Sequence, residues 1–140
     1  MIILAIDSGK VRTGVAVCDK SEILANPVKV ITQRSQNLLA TEIADIAAKA
    51  KAELVVIGLP RNMDGSEGAN AKDARSLGQK IAKLCSVPIE FFDERVTTVA
   101  AHNYLSTANV SAGKRKAVVD SVAAVIILQD YLNLRKNKNA

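Results

Sequence analysis

Three short stretches of this chain are apolar almost throughout, and each stops abruptly at polar residues. Ile2 to Ile6 runs into Asp7-Ser8-Gly9, Glu53 to Gly58 runs into a polar loop, and Val87 to Phe92 runs into Asp93-Glu94-Arg95. A strand with one wet face alternates apolar and polar residues. A strand without that alternation must be covered on both faces, as in parallel sheets. The pattern therefore asks for a sheet with helices packed on either side.

The rest of the chain supplies those helices. Gly14 to Asp19 reads as a second strand, and the link Gly9 to Thr13 is short enough to make an antiparallel hairpin. A third strand falls within Pro27 to Thr32. Asn37 to Ala52 carries Leu38, Leu39, Ile43, Ile46 and Ala47 at helical spacing. Ala69 to Leu84 does the same with Ala74, Leu77, Ile81 and Leu84, after a Gly-bearing loop from Leu59 to Gly68. A short helix is expected from a cap at Thr97 or Thr98 to about Thr107, then a basic loop from Asn109 to Lys116. Ala117 to Leu134 is apolar nearly all round and reads as a buried helix, followed by a frayed basic tail from Arg135. The order β-β-β-α-β-α-β-α-α predicts an α/β fold: a mixed five-stranded sheet whose first three strands form an antiparallel meander, with helices on both faces. With neither repeat nor linker, residues 1–140 are expected to form a single domain.

Composition narrows the chemistry. Two Phe, two Tyr and no Trp leave an aliphatic core and few platforms for stacking bases. A net charge of +5 favours a polyanionic partner. Cys18 and Cys85 lie far apart in apolar surroundings and read as buried reduced thiols, as in a cytoplasmic protein. With His102 the only histidine, no zinc cluster forms and no nucleophile-elbow triad accompanies it. The apolar start lacks the basic region and cleavage site of a secretory signal. Val118 to Leu128 is interrupted by Asp120 and Ser121 and is too short to span a bilayer.

The acidic residues are placed for metal chemistry. Ligands of α/β sheets gather at the carboxyl ends of strands. Asp7 ends the first strand, Asp93 and Glu94 end the last, and Asp120 opens the final helix. Carboxylates brought together there repel one another unless a hard divalent cation such as Mg²⁺ joins them. Two such ions, Mg²⁺ or Mn²⁺, suit phosphodiester hydrolysis. Side chains alternate along a strand, so Asp93 and Glu94 cannot both turn toward Asp7. Each acid also has a plainer reading: Asp7 as a turn former, Asp93 as a cap or a partner of Arg95, Asp120 as a first-turn helix residue. Their joint position carries the argument. Arg12, Arg61, Arg95, Lys114, Arg115 and Lys116 surround the same points, where a phosphate backbone approaching an acidic pocket needs cations.

Four ordered segments then resemble one family. Asp7-Ser8-Gly9-Lys10-Val11-Arg12-Thr13-Gly14-Val15-Ala16, the loop Gly58 to Gly68, Asp93-Glu94-Arg95-Val96-Thr97-Thr98, and Lys114-Arg115-Lys116 through Asp120 to Gln129 are similar to the motifs of the YqgF (RuvX) family. The resemblance implies a ribonuclease H-like fold related to Holliday junction resolvases. It implies a nuclease that processes the 5′ end of precursor 16S ribosomal RNA, with Asp7, Glu94 in preference to Asp93, and Asp120 as catalytic metal ligands. Ribosomal particles are then candidate partners, and the chain is expected as a monomer or weak homodimer.

Three other readings compete. A resolvase of branched DNA would be expected to work as a two-fold dimer. An ATP-handling protein shares the Asp-x-Gly hairpin but needs a second, similar domain to close over nucleotide. A non-catalytic nucleic-acid-binding module would tolerate neutral replacements of Asp7.

Overall fold

The computed structural model describes residues 1–94 and 112–138, with the side chains of 112–121 and 138 outside the description. The expected short helix at 97–107, Arg95 and His102 lie outside the described residues.

The elements follow the expected order. Strands β1 (Ile3–Asp7), β2 (Arg12–Cys18) and β3 (Ala25–Thr32) precede helix α1 (Gln36–Ala50), strand β4 (Leu54–Leu59), helix α2 (Ala69–Leu84), strand β5 (Ile89–Asp93) and helix α3 (Ala112–Lys138). They form one five-stranded sheet in the order β3-β2-β1-β4-β5. β1 to β3 are an antiparallel meander, whereas β4 runs parallel to β1 and β5 parallel to β4. The carboxyl ends of β1, β4 and β5 therefore share one edge of the sheet.

Alternation along each strand divides the core in two. Leu4, Ile6, Val15, Val55, Ile57 and Leu59 face α1 and α2, meeting Leu39, Ile43, Leu77 and Ile81. Ile3, Ala5, Ala16, Val56 and Phe92 face α3, meeting Ala124, Ile127, Leu128 and Tyr131. β1 and β4 are buried on both faces, which is why their sequences show no alternation.

Local chemistry sets the boundaries. The Ser35 side chain accepts from the Leu38 amide and caps α1. α1 ends at Ala50 rather than Ala52, because Lys51 adopts the left-handed conformation at φ 57° and returns its N–H to the last turn. β5 begins at Ile89, two residues after the expected start.

The last helix needs the largest correction. It begins at Ala112 rather than Ala117, so residues 112–116 are helix and not loop. Ala, Lys and Arg are strong helix formers, and one Gly at 113 costs only about 1 kcal/mol. Asp120 is accordingly the ninth residue of the helix, not its opening. At the other end the helix runs on to Lys138 instead of fraying at 135. Arg135 is held by Glu22, with Nε donating at 2.8 Å. Nor is α3 apolar all round: Ala123, Ala124, Ile127, Leu128, Tyr131 and Leu132 make a buried stripe, while Asn133 and Leu134 are exposed. Of the two free thiols, Cys18 is buried and its pKa is raised by that burial, but Cys85 is only half-buried. Among the described residues, no helix is long and apolar enough to cross a membrane.

Candidate functional site

Asp7 closes β1 opposite Gly14 of β2. On its other side β4 pairs Ile57 with Ile6, and the next step of that register sets Gly58 beside Asp7. Alternation puts Asp7, Gly14 and Gly58 on the α3 face, following Ala5, Ala16 and Val56. Asp7 is thus flanked by two residues without side chains.

One of those bare positions is filled by an acid. A Cβ built on Gly58 would lie 2.6 Å from Glu94 Oε1 and 2.7 Å from Ile127 Cδ1. The Glu94 carboxylate therefore rests on the backbone of Gly58, between the sheet and α3, on the face and edge that carry Asp7. Any larger residue at 58 would displace it. In sequence the glycine stood only as the last letter of a strand and the first of a loop motif. Its role comes from the register between β4 and β5.

Asp93 turns the other way. Its Oδ2 lies 4.0 Å from Arg61 Nη1. Arg61 also approaches Glu67 at 3.5 Å, and Glu67 takes a bidentate fork from Arg75 at 2.6 and 2.7 Å. The Arg75 hydrogen bond holds the Glu67 carboxyl below its ordinary pKa. Arg75 in turn lies over the Phe91 ring, 5.1 Å from its centroid. This chain of contacts braces the loop between β4 and α2. Inside that loop the Asn62 amide donates to the Ser66 hydroxyl, which donates to Asp64. The sequence showed these residues as a polar loop, with no sign of the brace.

Asp120 lies on α3 one turn before Ala124, which is buried against the sheet. α3 runs so that Ile127 reaches Gly58 while Tyr131 donates to Glu90 near the start of β5. Position 120 is therefore toward the carboxyl edge. The side chains of Asp120, Lys114, Arg115 and Lys116 lie outside the described residues. Arg12 opens β2 at the same edge, on the α3 face by alternation with Gly14 and Ala16, and forms no ion pair among the described residues.

The donors at this corner are carboxylate oxygens, the chemistry that Mg²⁺ and Mn²⁺ prefer. Among the described residues, no group of three or more His, Cys, Asp and Glu side chains is placed to hold a metal. Asp7 and Glu94 lie on the same face and edge, and the cradle over Gly58 positions the second.

A family model described as "RuvX: Holliday junction resolvase" matches residues 1–134. The chain belongs to the RuvX family. Curated relatives are similar over most of their length. A Clostridium botulinum protein is 40% identical over 133 residues, covering 95% of this chain and 97% of the relative. A Caldanaerobacter subterraneus protein is 39% identical over 138 residues, covering 98% and 99%. Both carry the name "Putative pre-16S rRNA nuclease". Among solved structures, Thermus thermophilus RuvC in complex with Holliday junction substrate matches with a TM-score of 0.63 at 13% identity, covering 98% of this chain and 96% of that one. A fowlpox virus Holliday junction resolvase matches with a TM-score of 0.55 at 12% identity, covering 95% and 99%. These likenesses establish the resolvase-type, ribonuclease H-like fold, and the family makes this RuvX chain a nuclease.

Proposed function

We propose that this RuvX protein is a metal-dependent endonuclease of structured RNA that processes the 5′ end of precursor 16S ribosomal RNA. The substrate is carried over from the name its relatives bear. Asp7 and Glu94, with Asp120 from α3, would hold Mg²⁺ or Mn²⁺, as one ion or two. The supporting observation is the seat of Glu94 over Gly58, beside Asp7 and beneath α3. A bound divalent ion would supply Lewis acidity toward the scissile phosphate and lower the pKa of an attacking water.

The chain's own residues do the rest. Asp7 closes β1 and Glu94 directly follows β5, so the sheet would set their separation. Ile127 closes the α3 side and limits water there. Asp93 is assigned to the loop brace through Arg61, not to the metal. Arg12 would meet a substrate phosphate at the edge of the pocket, and Arg95, Lys114, Arg115 and Lys116 would extend that surface. Arg61, shared with Glu67 and Asp93, would present the loop more than bind the backbone.

Cleavage of precursor ribosomal RNA fragments and of four-way DNA junctions tests the proposal, with Mg²⁺, Mn²⁺ or chelator, for the unmodified chain and Asp7→Asn. Metal-dependent cutting of the RNA, lost in Asp7→Asn, is the expected result. Cutting confined to junctions would move the substrate to branched DNA. Equal cutting by both chains, or cutting in chelator, would overturn the site.

A further inference from the structure

A cavity of about 570 Å³ opens at the carboxyl edge, walled by residues of α1 and α2 and reaching round the edge to Glu94. Its volume is that of an ordinary small-molecule pocket. Ser8, Gly9 and Lys10 line it from the turn after β1, Gln33 and Arg34 from the end of β3, and Asn70 and Asp73 from the start of α2. Leu39 and Leu77 give it an apolar wall. Glu94 lines it as well, so the cavity begins where the carboxylate pair ends.

Three observations say what it can hold. Lys10 and Arg34 form no ion pair among the described residues, so two cations face the opening without an acidic partner. The first turn of α2 has Gly68 as its cap and receives no side-chain acceptor, leaving its amides available to an anion. Asp73 contributes a carboxylate acceptor, and Gln33, whose Oε1 already accepts from the Ser35 amide, keeps its NH₂ group to donate. A bare phosphate has no use for a carboxylate. A nucleotide does, because its base and sugar carry amino and hydroxyl donors.

We propose that this cavity seats one unpaired nucleotide of the substrate, next to the phosphate at the carboxylates. Lys10 and Arg34 take its phosphate, and Asn70, Gln33 and Asp73 meet the polar edges of its base and sugar. The inference rests on the nuclease reading above and adds to it. A base can enter such a cavity only when it is out of a helix, so binding is selective for a single-stranded segment.

The test measures binding without cleavage. Asp7→Asn serves as the parent, and its affinity for a labelled single-stranded hexaribonucleotide is read by fluorescence anisotropy across a salt series, beside the same sequence as a duplex. Asn70→Trp, at an exposed helix position, obstructs the cavity at constant charge. It is expected to weaken single-strand binding by about tenfold, the scale of removing one base from its seat, and to leave duplex binding unchanged. Lys10→Ala with Arg34→Ala is expected to lower the salt slope by about 0.7 for each phosphate no longer neutralised. Unchanged single-strand affinity in Asn70→Trp would overturn the proposal, as would equal weakening for single strand and duplex. Inorganic phosphate that competes as well as uridine monophosphate would reduce the cavity to an anion site and overturn it too. Failure of the nuclease reading shows elsewhere, as an unmodified chain that cuts nothing with any metal.

Discussion

The amino and carboxyl edges of this sheet treat charge differently. At the amino edge, Glu22 takes both the chain's amino group and Arg135, Glu53 accepts the Ile2 amide, and Glu90 accepts the Tyr131 hydroxyl. These acids are matched within the protein, and the contacts tie α3 and the β2–β3 turn to the sheet. Burial and the nearby Glu90 push the Tyr131 phenol up to about 12, so it stays a donor throughout the working range. At the carboxyl edge Lys10, Arg12 and Arg34 form no ion pair among the described residues, while Asp7 and Glu94 share a corner with two bare glycines. One edge uses its charges to hold the fold. The other pairs Arg61 and Arg75 with acids in the loop brace, yet keeps Lys10, Arg12 and Arg34 available to a polyanion, whose affinity depends on such cations.

If the difference is functional, the largest effects belong to the carboxyl edge. Glu94→Gln is expected to cut metal-dependent RNA cleavage by more than the roughly 100-fold that accompanies loss of a group merely hydrogen-bonded to a metal ligand. Asp93→Asn, one residue away, should keep most activity, and comparing initial rates of the two variants separates their roles. Gly58→Ala should come next. Its new Cβ collides with Glu94 and Ile127, so cleavage falls with the carboxylate displaced, and denaturant unfolding should show a loss of about 1–3 kcal/mol from overpacking.

Smaller effects sharpen the contrast. Arg12→Ala should lower the salt dependence of RNA affinity by a slope of about 0.7–0.9, with the fold intact, as a titration series would show. At the amino edge, Arg135→Ala should cost at most about 1 kcal/mol, because the pair is partly exposed, and should leave cleavage unchanged. Its effect has a pH signature. Arg135 holds the Glu22 carboxyl below its ordinary pKa in the folded chain. The pair therefore stabilises fully above the ordinary carboxylate pKa, and the contribution fades as pH falls through the lowered folded value. Unfolding curves of the two chains should differ at neutral pH and converge in acid. Persistent divergence in acid would show that Arg135 acts through packing.

The sheet was legible from sequence because two-sided burial leaves a direct mark: runs such as Leu54 to Ile57 have no polar face to show. Asp7 and the pair Asp93-Glu94 stood out as candidates for a related reason, since an acid beside such a run is costly without a purpose, while the preference for Glu94 came from the family resemblance. Other features depend on contacts between distant residues. Nothing near Gly58 in sequence says that Glu94 lies on it. The extension of α3 past Arg135 depends on Glu22, more than a hundred residues earlier, and a basic tail read by itself looks frayed. The same holds for the cavity, whose lining comes from elements spread along most of the chain.

The clamp of α3 at its far end has a consequence for insertions and deletions. Asp120 and Tyr131 stand eleven residues apart, which is about three full turns. One residue added between them would rotate everything upstream by about 100° while Tyr131 and Arg135 stayed fixed. The spacing thus works as a ruler cut in whole turns. A RuvX chain can vary freely in what lies along the outer side of this rod, but a length change there should survive only when it restores the phase between position 120 and the clamp.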